Sequence, residues 1–290
     1  MGDKLTNAIL ELYRKTSTEL PNDVVSAIKR ANNNEEKKSL ASNILTTVIK
    51  NVDLAKKNSI PICQDTGMPA FYVYYNKGYS QLELKEAIIK ATKKATAKNY
   101  LRPNAVNPID NTNSGDCTGI GIPQIYLEEW NKNYLEINLM LKGGGSENVS
   151  MQYKLPDKNL KAGRNLDGVK KCVIDAVFKA QGFGCAPSVI GVGIGGDRSS
   201  GYAVAKKQLF RKLNDKNKDK RLAALEHNLH SMLNKLGIGP MGLGGKTTVL
   251  GVKVGASYRL PACFFVSIAY MCWANRRKTL TIKNDKVLIR

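Results

Sequence analysis

Three of the six cysteines lie beside residues that could do chemistry. Cys63 opens the triplet Cys63-Gln64-Asp65, just before an aromatic and β-branched run. Cys185 follows Gly-Phe-Gly and precedes Ala-Pro, and Cys272 ends an apolar run before Trp-Ala-Asn-Arg-Arg. Each is predicted at the end of an element, where small or polar neighbours leave a sulfur accessible. Three thiolates from distant segments could hold a four-iron cluster with one open iron, and an open metal position supplies Lewis-acid chemistry.

Buried thiols are the alternative interpretation of the same three residues. Free cysteine is among the residue types most often found in protein cores. Cys172, inside the predicted helix VKKCVIDAV, and Cys263, inside a predicted strand, are interpreted as core thiols. The six cysteines form no CxxC pair, which argues against a zinc ribbon and a disulfide framework. The residue types alone therefore leave a cluster and buried thiols both open.

The chain also offers groups that could bind carboxylates. Arg102 lies in LRPNAVNP, and the segment KGGGSEN exposes backbone N–H groups at Gly143, Gly144 and Gly145. A guanidinium and free N–H donors are what a dicarboxylate substrate requires. Taken one at a time, Asp65 is equally well a carboxylate that stabilises a turn, and Arg102 an ordinary surface arginine.

The elements that would carry these residues alternate along the chain. We expect helices up to residue 58 and at 82–101, 169–182, 200–213 and 220–237. Strands are expected after residue 67, at 134–142 and 187–196, and in most of the last forty residues. The stretch 102–123 is rich in Pro, Asn and Gly and is predicted to be a long functional loop. The predicted fold class is α/β (mixed α+β), as one domain, 1–290, with two lobes at about 1–165 and 166–290.

Two glycine-rich segments resemble nucleotide sites without completing them. Gly191, Gly193 and Gly196 spell GxGxxG between a predicted strand and helix, but no following strand carries the required acidic residue. The segment GLGGKTT resembles a phosphate-binding loop, but Pro240 replaces its first glycine and a strand follows. Glycines that let backbone approach closely explain both segments equally well.

The overall charge and hydropathy bound the class of protein. The formal net charge is +21, with lysines spread over many segments and mostly on polar helix faces. A basic nucleic-acid-binding protein is therefore kept as a less favoured function of another class. No apolar run reaches the ~18 residues of a membrane span, and the N-terminal segment does not resemble a secretory signal. We expect a cytoplasmic protein.

Several separate motifs, taken in order, resemble one known family. PICQDTG, RPNAVNPIDNTNSGD, LKGGGSEN, the Cys-Ala-Pro, LGGKTT and CWANRR are similar to the α chain of two-subunit class I fumarase and L-tartrate dehydratase. The resemblance covers about residues 5–285. It implies an iron–sulfur hydro-lyase whose [4Fe-4S] cluster is ligated by Cys63, Cys185 and Cys272, with one iron open to the substrate's carboxylate and hydroxyl.

The resemblance also assigns roles around that cluster. It implies that Gln64, Asp65 and Arg102 contact the substrate, and that the run Gly143, Gly144, Gly145 offers backbone donors. Asp65 would act as the acid toward the departing hydroxyl. Many relatives carry a histidine after the arginine in an Arg-His-Pro-Ala segment, where this chain has Leu260.

The same resemblance implies a partner. Single-chain relatives have a further domain that contributes to the active site, so a separate β subunit is expected to complete it and to supply the base at C3. A homodimer of α chains or an α2β2 assembly is expected. Fumarate and malate, the pair of the tricarboxylic acid cycle, are favoured as substrates because that need is more widespread, with tartrate as the alternative.

Overall fold

The computed structural model describes residues 2–284 and 286–290. Its helices are α1 (Gly2–Thr18), α2 (Asn22–Asn34), α3 (Leu40–Asn58), α4 (Gln81–Ala97), α5 (Gly144–Asn148), α6 (Leu166–Ala180), α7 (Arg198–Gln208) and α8 (Lys220–Asn234). Its strands are β1 (Met68–Tyr75), β2 (Gln124–Glu129), β3 (Leu135–Lys142), β4 (Met151–Lys154), β5 (Ser188–Ile194), β6 (Val249–Ala256), β7 (Phe265–Met271), β8 (Arg276–Lys283) and β9 (Lys286–Ile289). The predicted mixed α/β class is confirmed.

The chain divides into two compact units that are interleaved along the sequence. Unit 1 contains the residues up to 21, 50–144 and those from 276 onward, and unit 2 contains 22–49 and 145–275. The expected lobes on either side of residue 165 stay a prediction. Within the described residues, no helix is long and apolar enough to cross a bilayer.

Unit 1 is built on a five-stranded sheet in the order β2-β1-β3-β8-β9. Only the β1–β2 pair is parallel. Helices α1 and α4 cover one face, where Ile9 and Tyr13 pack with Phe71 and Leu139 in one core. The Tyr13 hydroxyl is 2.7 Å from the Thr92 Oγ1, so the two helices share a buried polar contact as well as apolar area.

Unit 2 is built on a four-stranded sheet in the order β4-β7-β5-β6. Side chains alternate across β5, so Ile190 and Val192 enter the core that α6 and α8 help to form. The intervening Gly191 and Gly193 lie against helix α7, where an added Cβ would come within 2.2 Å of a backbone carbonyl oxygen. These glycines of the GxGxxG segment therefore allow close packing of a helix on the sheet.

Local predictions differ from the structure in three places. The sequence pattern predicts a helix over 34–58. In the structure residues 35–39 form a turn, and helix α3 begins only at Leu40. The glycine turn predicted at 143–145 leads into the five-residue helix α5. Cys263 precedes β7 and is half-buried, so its prediction as a core thiol inside a strand was wrong. The long loop 102–123 is confirmed, with only isolated bridges inside it.

Candidate functional site

The Asp65 carboxylate of unit 1 is held by two backbone N–H groups. Its Oδ1 accepts from Gly67 N at 3.0 Å, and its Oδ2 accepts from Gly144 N at 2.8 Å. The antiparallel pairing of β1 with β3 places Met68 opposite Lys142, which brings the start of β1 to the glycine run after β3. Two donors on two oxygens fix the orientation of the carboxylate.

Two glycines, Gly67 and Gly143, allow the Asp65 carboxylate to lie this close to the backbone. Gly67 has a φ of +81°, and a Cβ there would lie 2.9 Å from the backbone of Leu141 and Lys142. A Cβ on Gly143 would lie 2.7 Å from Asp65 Oδ2, whereas one on Gly144 would lie 3.9 Å away. Any side chain at 67 or 143 would therefore displace either the strand pairing or the carboxylate.

Arg102 and Gln64 lie near this carboxylate in unit 1. Gln64 precedes Asp65 in the chain, and Arg102 contacts both chain neighbours of Asp65. Arg102 N donates to Thr66 Oγ1 at 2.9 Å, and its Nη1 donates to the Gln64 carbonyl oxygen at 3.4 Å. Both side chains are exposed, and the Arg102 guanidinium makes no ion pair in the described parts of the chain. Thr66 is buried and also accepts from Asn104 Nδ2 at 3.3 Å. Sequence reasoning missed this anchoring role, although Thr66 lies inside the segment PICQDTG.

Cys185 and Cys272 are brought together in unit 2. Strands β5 and β7 pair antiparallel with Val189 opposite Met271, so the residues just before β5 and just after β7 share one edge of the sheet. The Cys185 carbonyl oxygen accepts from Trp273 N at 3.2 Å. Cys185 itself has a φ of +54°. Cys185 is exposed and Cys272 is half-buried.

Tyr270 lies close to both of these thiols. Burial raises its pKa to about 12, a hydrogen bond with Ser188 opposes that rise, and Cys272 and Cys185 add to it. A Cβ on Gly184 would lie 2.2 Å from Tyr270 Cε1, so glycine is required just before Cys185. The loop that carries Cys185 is thus fitted closely to the ring of Tyr270.

The six cysteines separate into two groups by accessibility. Cys63, Cys263 and Cys272 are half-buried and Cys185 is exposed, whereas Cys117 and Cys172 are buried. Burial raises the pKa of Cys117, and it raises that of Cys172 to about 12, which keeps both thiols protonated. The donor set Cys63, Cys185 and Cys272 therefore fits soft-metal ligation better than the core thiols do. Among the described residues, no three His, Cys, Asp or Glu side chains lie together as a ready metal site.

Arg276 is a buried cation at the same end of the unit 1 sheet as Gly143. It lies opposite Leu141 in the β3–β8 pair and is only 1% exposed. Its Nε and Nη1 have no hydrogen-bond partner within the described residues. A guanidinium stays charged, and burying one without an anion is costly. An anion from outside this part of the chain would satisfy it, as a dicarboxylate or an anionic cluster would.

The GLGGKTT segment binds a carboxylate of the chain itself. Glu35 is buried, and its Oε1 accepts from Lys246 N at 3.0 Å and from Thr247 N at 2.9 Å. The backbone N–H groups that would hold a phosphate in a nucleotide site are therefore already occupied. This agrees with the interpretation of the segment as something other than a nucleotide site.

Three further positions discussed from the sequence, Leu260, His227 and His230, are exposed. Leu260, where many relatives are expected to have histidine, is 71% exposed in the segment between β6 and β7. Arg259 Nη1 donates to the carbonyl oxygens of Leu260 and Pro261 at 2.9 Å each. His227 and His230 lie on helix α8 of unit 2, as predicted.

A comparison of the sequence with models of known families identifies the family of the chain. It belongs to the fumarate hydratase (Fumerase) family, whose sequence model matches residues 6–281. The predicted family of hydro-lyases is thereby confirmed, and every candidate site residue lies inside the matched range.

Individual relatives carry two kinds of name. The chain is 49% identical over 278 residues to "Putative fumarate hydratase class I" of Geobacillus stearothermophilus, covering 95% of this chain and 54% of that protein. It is 36% identical over 290 residues to "Putative L(+)-tartrate dehydratase subunit alpha" of Methanocaldococcus jannaschii, covering 98% of this chain and 100% of that protein. It is 32% identical over 287 residues to the L(+)-tartrate dehydratase subunit alpha of Escherichia coli K12, covering 98% and 92%.

Proposed function

We propose that this chain is the α subunit of a class I fumarate hydratase, which adds water reversibly to fumarate to give L-malate. The observation that supports it most is the Asp65 carboxylate, oriented by Gly67 and Gly144 N–H groups beside Arg102. The higher identity to the relative named as a fumarate hydratase favours fumarate over tartrate. The reaction is proposed to occur in the cytoplasm, a reducing compartment where disulfides are rare.

Cys63, Cys185 and Cys272 would hold a [4Fe-4S] cluster. Accessibility sets these three thiols and Cys263 apart from the buried Cys117 and Cys172, and the motifs PICQDTG, Cys-Ala-Pro and CWANRR favour the three over Cys263. When bound, such a cluster supplies a Lewis acid for the hydroxyl at C2 of the substrate. This proposal predicts a labile cluster that disappears when any one of the three thiols is removed.

The residues of unit 1 would bind and orient the substrate. Arg102, exposed and without an ion pair, would hold one carboxylate, and Gln64 lies beside it for a further hydrogen bond. Gly143, Gly144 and Gly145 would contribute backbone donors, although the Gly144 N–H is already engaged by Asp65. Asp65 would give a proton to the departing hydroxyl in dehydration and take it from the attacking water in hydration.

A separate β subunit is proposed to complete the site and to supply the base at C3. The chain spans 54% of the Geobacillus relative but nearly the whole of the two relatives named as subunit alpha. The name "subunit alpha" of those two relatives supports a two-chain enzyme, with a homodimer of α chains or an α2β2 assembly as the proposed arrangement. The names of those two relatives also keep tartrate as the second candidate substrate.

The cluster is tested by anaerobic reconstitution with iron and sulfide, followed by EPR after mild oxidation. We expect a three-iron signal that is lost in Cys63→Ala, Cys185→Ala and Cys272→Ala. It should be kept in the matched variants Cys172→Ala and Cys263→Ala. The absence of any signal, with a β chain present, would refute the cluster and the hydro-lyase proposal together.

The role of Asp65 is tested in the αβ complex. Asp65→Asn keeps the size of the side chain, so it should retain the cluster and lose roughly 10²-fold or more of the turnover of malate. Asp53→Asn, on the exposed face of α3, is the control and should turn over normally. Comparing kcat/KM for malate and tartrate then decides between the two substrates.

A further inference from the structure

Unit 2 contains a large cavity that the proposed reaction does not use. It has a volume of about 720 Å³ and lies between helix α2, helix α8 and strand β6. Strand β6 is an edge of its sheet, paired on one side with β5. The volume is in the range of small-molecule sites, roughly 300–1,000 Å³.

The two carboxylates that line this cavity are already neutralised. Arg211 bonds Glu226 Oε1 at 2.6 Å and Asp215 Oδ1 at 2.8 Å. Lys253, almost fully buried, bonds Asp215 Oδ1 at 2.7 Å. Glu226 also accepts from the backbone N of Val254 at 2.8 Å. Two carboxylates are therefore matched by two cations, and they form a fixed polar floor.

The cations that remain around the cavity come from three separate segments. Arg30 lies on α2, Lys216 lies between α7 and α8, and Lys246 lies just before β6. None of the three makes an ion pair in the described parts of the chain. Charges of one sign that converge on a cleft raise its potential and attract an oppositely charged ligand.

Apolar side chains and two imidazole rings line the cavity between these cations. Ala27 and Ala31 of α2 face the cavity together with Leu250 and Val252 of β6. His227 and His230 of α8 line it as well, and neither belongs to the proposed active site. A ligand can therefore bury a carbon skeleton while its anionic groups meet the cations.

We propose that this cavity binds a small anion that carries at least two negative charges, on phosphate or on carboxylate groups. Binding rests on Arg30, Lys216 and Lys246, and it does not depend on the hydro-lyase function. A site of this kind gives the protein a second ligand, held in a different unit from Asp65 and Arg102. Its occupancy would stabilise unit 2 by mass action.

The test is isothermal titration calorimetry on the full chain with pyrophosphate, citrate and ADP at low ionic strength. We expect saturable binding of at least one of these anions. The ranking of pyrophosphate against citrate identifies the preferred anionic group. Tighter binding of ADP than of pyrophosphate shows that the apolar wall takes part. If none of the three binds at roughly 1 mM, a dissociation constant that corresponds to about −4 kcal/mol, the proposal is wrong.

Charge-matched variants locate the binding. Arg30→Gln with Lys246→Gln removes two exposed cations of the cavity and should weaken binding about tenfold. Lys85→Gln with Lys94→Gln removes the same charge from α4 of unit 1 and should leave the affinity within about twofold. Arg102→Gln should also leave it unchanged. An equal loss in the α4 variant, or a loss in Arg102→Gln, would place the anion elsewhere. Thermal unfolding midpoints confirm that each variant is folded.

Discussion

Replacing Gly143 with alanine tests whether the position of the Asp65 carboxylate controls turnover. The added Cβ would lie 2.7 Å from Asp65 Oδ2 and 3.2 Å from its Cγ, closer than such atoms can approach. The obstructed group is the end of a side chain, which can rotate away. The substitution should therefore displace the carboxylate while the fold of unit 1 stays intact.

The size of the effect follows from the bond that is lost. Rotation of the carboxylate breaks its 2.8 Å bond with Gly144 N–H. A hydrogen bond to a charged group contributes about 1.5–3 kcal/mol, which is roughly tenfold to a hundredfold in rate when it orients a catalytic group. The free energy of unfolding should change by less than about 1.5 kcal/mol, since the strand pairing is untouched.

The assay is malate turnover by the αβ complex, with urea unfolding of the α chain as the measure of stability. Gly144→Ala is the matched control, because its Cβ would lie 3.9 Å from the same oxygen, an ordinary contact. In an Asp65→Asn background, Gly143→Ala should cost nothing further in turnover. Equal turnover by the two alanine variants would refute the reasoning, as would additive losses in the double variant.

Three further outcomes are expected. Glu35→Gln should lower the free energy of unfolding by about 1.5–3 kcal/mol in urea titrations, since its carboxylate accepts from the glycine-rich loop, whereas Glu36→Gln should be neutral. Arg276→Met should leave the isolated α chain equally or more stable, while Arg211→Met should cost about 3 kcal/mol by leaving the buried Glu226 carboxylate without a cation, since Asp215 keeps its bond with Lys253. His230 is exposed as a whole residue, but burial of its ring at the cavity, together with His227 and Lys253, lowers its pKa from 6.5, so stability should fall as the pH drops below about 6.5, and His230→Gln should flatten that dependence.

A contrary result would refute each of these three predictions. A neutral Glu35→Gln would mean that the loop holds its shape without the carboxylate. A large loss in Arg276→Met would mean that the guanidinium already has a partner in the isolated chain. The histidine stabilises the fold only in its neutral form, since its unfolded state binds a proton at higher pH. An unchanged pH profile in His230→Gln would exclude it as the titrating group.

The sequence predicts which residues form the candidate substrate site but not the contacts that they make. PICQDTG and LKGGGSEN were recognisable as motifs, and the structure places Asp65 against Gly144. That contact depends on the register of β1 with β3, which joins segments about seventy residues apart. Local propensity carries no information about register, and Thr66 was overlooked because a threonine in a turn has many structural uses.

Sequence patterns also could not predict the division into two units, because they do not show which strands pair. Strands β7 and β8 are separated by only four residues, yet they belong to different sheets. Alternation of apolar residues predicts a strand but not its neighbours. Glu35 illustrates the same limit, since its hydrogen-bond partners lie more than 200 positions away. Its place beside a glycine-rich loop could not be read from either segment alone.

The interleaving of the two units has a consequence for synthesis of the protein on the ribosome. Unit 1 begins with the first helix but needs β8, made in the last fifteen residues, to pair with its strand β3. Until then, one edge of β3 lacks its native neighbour, and open edges are sites of unwanted association. Domains usually fold as they emerge, in order from the N-terminus. Here the nascent chain must keep a partly made sheet protected until β8 has left the ribosome.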